Sequence, residues 1–107
     1  MNIANEIKKA FEDAGGQLKD DLWKPEDLDV LSQRAQDLAG LQRKAENTSD
    51  PQKRAQYKLA AKLVVQHVEL LALTRMHVAE KHIQEALQRF FWNVLLPALI
   101  KVVPLLF

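Results

Sequence analysis

Apolar residues recur along this chain at intervals of three and four, the spacing that puts them on one side of an α-helix, and the pattern predicts an all-α fold. Ile3, Ile7, Ala10, Phe11 and Ala14 define a first amphipathic helix over residues 2–14, with Glu6, Lys8, Lys9, Glu12 and Asp13 on its other side. Gly15 and Gly16 are expected to end it, because glycine is a poor helix former and suits the left-handed turn at a helix terminus. Residues 17–24 then read as a connector with a single helical turn through Leu18 and Leu22.

A second helix is predicted over residues 25–46. Pro25 suits a first helical position, Glu26 and Asp27 place negative charge on the positive end of the helix dipole, and Trp23 is placed to pack on Leu28. Leu28, Leu31, Ala35, Leu38, Leu41 and Ala45 carry its apolar stripe, with Gly40 a mild weakness or a point of close helix approach. The segment Asn47-Thr48-Ser49-Asp50-Pro51 is a loop with Asp50 as N-cap, short enough to make its flanking helices antiparallel neighbours.

No glycine or proline interrupts the chain from Gln52 to Leu96, and a third helix over residues 51–96 is the direct reading. One stripe runs Ala61, Val65, Val68, Ala72, Met76, Ala79, Ile83, Ala86, Phe90, Val94. A second, Leu59, Leu63, Leu70 and Leu73, is interrupted by Gln66 and His67, so part of this helix must be covered on more than one side. At 1.5 Å per residue such a helix spans about 70 Å, against about 33 Å for the second. One hairpin partner covers half of it, and the expectation is that other subunits or another protein cover the rest. The expected architecture is thus a single domain, residues 1–107, built as an antiparallel helical hairpin. A short N-terminal helix precedes the hairpin, and its very long third helix ends in a proline-bent apolar tail, residues 97–107.

In the tail, Arg89, Asn93, Pro97, Lys101 and Pro104 follow one another at spacings that place polar groups and both prolines on one face, so the apolar face should be concave. Such a face suits the chain's own core, a ring of sister subunits or a bilayer surface. As a transmembrane segment, residues 90–107 are short, hold Lys101 in the middle and contain two prolines.

Charge narrows the function classes. Fifteen basic against fourteen acidic residues give a net charge of +1, so there is no general attraction to nucleic acid. Lys53, Arg54, Lys58 and Lys62 form a basic stripe, read as a solvated face pairing with Asp27, Asp37 or Glu46 across the hairpin. Cysteine is absent, and the first residues carry an acid and lack an apolar run, so no secretory signal is predicted and the expected location is cytoplasmic or assembly-bound. His67, His77 and His82 stand ten and five apart, spacings that put no two at metal-ligand distance on one helix. His67 reads as a hydrogen-bonded interface residue. The serines and threonines lack a positioned base, and the glycine pair has no phosphate-loop context. No metal, cofactor or catalytic site is predicted, and the chain is expected not to be an enzyme.

What remains is a structural or assembly protein, a homo-oligomer or a subunit of a larger complex such as a virion or secretion-type assembly. The expected contact runs along Ala72, Met76, Ala79, Ile83, Ala86, Phe90 and Val94, anchored by Phe91 and Trp92 and continued by Leu95, Leu99, Ile100 and Val103. A second reading is a small membrane-associated or membrane-active protein inserting residues 90–107.

Overall fold

The first backbone N–H groups of a helix have no partner within it, so helices begin where a nearby side chain can accept from them. In the computed structural model, which describes residues 2–107, three of four helices begin this way. Helix α1 spans Ile3–Leu18, with Asn2 Oδ1 accepting from Ala4 N at 3.0 Å. Helix α2 spans Pro25–Glu46, and the Asp27 carboxylate reaches back to accept from Lys24 N at 2.9 Å. Helix α3 spans Pro51–Met76, with Asp50 Oδ1 accepting from Gln52 N at 2.9 Å. Helix α4, Lys81–Leu99, has no side-chain cap, and a 3₁₀ turn at Pro104–Leu106 follows.

The four helices run up, down, up and down. Helix α1 packs on α2 and α4, α3 packs on α2 and α4, and the 3₁₀ turn closes over the foot of α2 and α3. Ile7, Phe11, Leu31, Leu38, Val65, Val68, Phe91, Leu95, Leu99 and Val103 fill the space between them. Leu105 N donates to Gln42 Oε1 at 2.9 Å and Lys58 Nζ donates to the Phe107 carbonyl at 3.3 Å, tying the tail to the two helices it covers.

This corrects the expected architecture. The antiparallel pair α2 and α3 is there, but as half of a four-helix bundle, and the third helix stops at Met76. His77 takes the left-handed conformation (φ 54°, ψ 35°), and Val78–Glu80 turn the chain back on itself. A non-glycine residue there costs about 1–2 kcal/mol. A local bond offsets part of it: Gln84 Nε2 donates to the Val78 carbonyl at 2.6 Å. Burial contributes more. A continued helix would hold Phe91, Leu95 and Leu99 outside this core, and burying each contributes roughly 1.5–3 kcal/mol. The 26 residues of α3 span about 39 Å, close to the partner they pack against. His77→Gly therefore has a sign that distinguishes the two architectures. The broken helix predicts no loss and up to about 1 kcal/mol of gain, whereas a continuous helix would lose about 1 kcal/mol, read from urea unfolding.

The expectation of a free apolar, membrane-associated C-terminus is corrected as well. Leu95, Leu99, Val103 and Leu106 are inside the bundle, and among the described residues no helix is long and apolar enough to cross a membrane. The face carrying Arg89, Asn93, Pro97, Lys101 and Pro104 is the exposed one, so the tail curves around its own core. Pro97 is tolerated within α4 because it lies near the helix end on the solvent side.

The glycine pair does not end α1, which runs through both to Leu18. Gly15 has a different task. A Cβ placed on it would lie 2.2 Å from Trp23 Nε1, so the missing side chain is what lets the indole ring lie on α1.

Candidate partner-binding surface

Helix α3 is apolar on two sides, and the bundle uses one. Ala61, Val65, Val68 and Ala72 face the core and are completely or almost completely buried. On the outward side Leu59, Leu63 and Leu70 are 62%, 56% and 56% exposed. With Gln66 between them and half-buried Leu73 beyond, they recur at spacings of four, three, four and three. That is the seam of a two-helix contact, in which every knob faces the same partner and a single polar position interrupts the leucines.

The contact residues expected from sequence are divided by the fold. Ala72, Phe91, Leu95, Leu99 and Val103 are in the chain's own core, and Met76, Trp92 and Val94 pack part-buried against it. Ala79, Ile83, Ala86, Phe90 and Ile100 are exposed, with Ile83 and Phe90 on one outer edge of α4. The stripe left most fully in water is Leu59, Leu63 and Leu70, which the expected contact omits although the sequence displays it.

Beside this seam, between α3 and α4, Gln66, Glu69, Glu85, Gln88, Arg89, Trp92 and Asn93 line a shallow polar cleft. Glu69 is 7% exposed, and the Trp92 indole N–H donates to its carboxylate. Burial raises the Glu69 pKa, partly offset by that hydrogen bond. On the α2 side, Arg34 lies 3.3 Å from His67 Nδ1 and pairs with Asp37 at 3.0 Å.

At one end of the bundle Asp27, 1% exposed, receives a two-pronged contact from Arg75, Nε to Oδ2 at 2.8 Å and Nη2 to Oδ1 at 2.5 Å. This bond holds the Asp27 pKa below its ordinary value; burial opposes the shift and the Lys24 N–H reinforces it. The two carboxylates act on stability with opposite sign. Glu69 keeps its proton to higher pH in the native chain than in the unfolded one, so stability falls as pH rises through its native pKa. Asp27 releases its proton at lower pH in the native chain, so its contribution is lost as pH falls below about 4. Stability should accordingly rise on acidification through the native Glu69 pKa and fall once the pH passes below about 4. Glu69→Gln, which keeps an acceptor for Trp92, should abolish the rise and leave the acid limb, as followed by thermal melts across pH.

The charges separate along the bundle axis. The end formed by the 19–24 and 77–80 turns and the helix ends beside them holds Asp13, Asp20, Asp21, Glu26, Asp27, Asp29, Glu80 and Glu85. Lys19, Lys24, Arg75 and Lys81 are the bases there, eight acids against four bases. The opposite end holds Lys9, Arg43, Lys44, Lys53, Arg54, Lys58, Lys62 and Lys101 against Glu6, Glu46 and Asp50, eight bases against three acids, while Lys8 and Glu12 pair with each other midway along α1. A net charge of +1 thus hides about −4 at one end and +5 at the other. Among the described residues the expected pairing of the basic stripe across the hairpin is not made. Asp27 is taken by Arg75, Asp37 by Arg34, and Glu46 accepts from Gln42 at 3.0 Å. Arg43, Lys44 and Lys53 share a cleft with Tyr57 instead.

Among the described residues no cluster of three or more His, Asp or Glu side chains is arranged to hold a metal ion. His67, His77 and His82 are all exposed, on α3, in the turn and on α4. No protein-family model, curated protein or solved structure matches this chain, so the reading of its surface rests on its own geometry.

Proposed function

We propose that this chain is a non-enzymatic assembly protein, a homo-oligomer or subunit of a larger complex, that makes its contact through the outward face of α3. The observation that carries the reading is the solvent exposure of Leu59, Leu63 and Leu70 on a helix whose opposite face is already buried. Three leucines in register leave roughly 300 Å² of apolar surface in water, interrupted by Gln66, a size at which the largest apolar patch of a small protein is often functional. These residues add little to the monomer's core, so their cost to solubility is unrewarded unless something covers them.

Sedimentation tests this directly, with a Leu63→Glu/Leu70→Glu double variant beside the unaltered chain. The unaltered chain is expected to sediment above its 12.2 kDa monomer mass at tens of micromolar, and the variant as a monomer. The variant's unfolding free energy, measured at low concentration, should change by no more than about 0.5 kcal/mol. A chain that stays monomeric at every concentration, alone and with its leucines intact, overturns self-assembly. A variant that unfolds would show that the leucines serve the fold instead.

A further inference from the structure

Resting on the assembly reading, we infer that the occupant of the α3 face is a second copy of this chain, docked antiparallel about a twofold axis near the middle of the leucine seam. Three observations lead there. The seam suits a twofold contact, which needs one patch that matches itself, because Leu59 and Leu63 on one side of the central Gln66 are answered by Leu70 and Leu73 on the other. The leucines supply roughly 300 Å² per copy, so the side chains bordering them must contribute as much again to reach the total of about 1,200 Å² at the lower end of specific interfaces.

Charge fixes the direction. Helix α3 runs from the basic end of the bundle to the acidic end, so a parallel pair would place the Arg54, Lys58 and Lys62 ends of the two copies together and likewise their Glu80 and Glu85 ends. The antiparallel pair brings the Arg54, Lys58 and Lys62 end of one copy to the Glu80 and Glu85 end of the other. Like-charge juxtaposition opposes association, whereas opposed ends favour and steer it. Among the described residues Arg54 and Lys62 have no carboxylate partner within their own chain, and Lys58 donates only to the Phe107 backbone oxygen. Gln66 sits near the centre of the seam, where its amide meets a polar partner only in a narrow range of registers, a role that buried polar residues play in helix pairs.

The absence of cysteine makes the test clean, because one introduced thiol is the sole labelling site. Gln52 is exposed two turns before Leu59, beyond the end of the seam, and His82 is exposed on α4, so Gln52→Cys and His82→Cys carry spin labels without replacing a seam residue. Position 52 lies fourteen residues from Gln66, so two copies labelled there should be about 40 Å apart in the antiparallel dimer. A mixture of chains labelled at 52 and at 82 should give a distance less than half of that. The dissociation constant should rise at least threefold between 50 and 500 mM salt, because the opposed ends are screened. Short distances between identical labels at 52 would mean a parallel pair, which overturns the inference while leaving assembly through α3 intact. A dimer whose labels behave as expected but which persists in the Leu63→Glu/Leu70→Glu background would move the contact off this face and overturn both. No intermolecular distance at any concentration also overturns both.

Discussion

Replacing Phe91 with alanine is expected to remove about 3–5 kcal/mol of stability, roughly a fifth or more of the 5–15 kcal/mol a domain holds. Phe91 is 1% exposed, and the side chains around it come from helices distant in sequence, so the vacated space cannot collapse cheaply. Its neighbour supplies the control. Phe90 is 42% exposed on the outer edge of α4, and Phe90→Ala should cost less than about 1 kcal/mol. The pair discriminates because a third helix continuing straight past residue 77 would leave both rings outside the monomer's core, and the two substitutions would then unfold the isolated chain equally. Urea unfolding at micromolar concentration, followed by helical circular dichroism, reads the difference.

Gly15→Val is expected to cost about 3 kcal/mol for a different reason. Nothing is removed; the added branch occupies the place of the Trp23 ring, whose Cε2 and Cζ2 would lie 2.4 and 2.6 Å from the new Cβ. Trp23 is held at the start of α2 and has to leave its half-buried site, losing a large aromatic contact. Gly16→Ala, one residue on, meets nothing within 4 Å and should stabilise the chain by up to about 1 kcal/mol. Opposite signs at adjacent glycines would locate the close approach at Gly15. A loss at both would mean that the pair ends the helix, as its sequence suggests.

These residues also mark where the sequence is legible. The starts of α2 and α3 are written locally, in Pro25 with Asp27 and in Asp50 with Pro51, and the structure has helices beginning at both. The polar face of the tail is equally readable from the spacing of Arg89, Asn93, Pro97, Lys101 and Pro104. The break at His77 is not, because neither glycine nor proline announces it. A histidine is pushed into the left-handed region by the burial of residues fourteen and more positions further on, and such non-local energy leaves no mark at the turn itself. Gly15 misleads for the complementary reason: its helix-breaking propensity is overridden by a contact with Trp23 that only the tertiary fold creates.

The leucine seam of α3 is the intermediate case. Its spacing is visible in the sequence, but which of the two stripes on that segment faces a partner depends on where the chain folds back. A third helix left whole assigns Phe91, Leu95 and Leu99 to a partner. Once the helix breaks, those side chains fill the core, and Leu59, Leu63 and Leu70 are the ones left uncovered. The charge separation is hidden in the same way, since a near-neutral total reveals nothing until helices distant in sequence bring their acids to one end.

X-ray scattering over a concentration series is the most direct test of a closed bundle that associates through α3, because each curve gives mass and shape together. At the dilute end such a bundle should show a mass of 12.2 kDa with a radius of gyration close to the 13.9 Å of the Cα trace, the mass rising at high concentration toward twice that value. A dilute radius above about 20 Å at monomer mass would mean a third helix that runs on for about 70 Å and would contradict the bundle. A compact particle whose mass never rises would leave the bundle standing and contradict self-association.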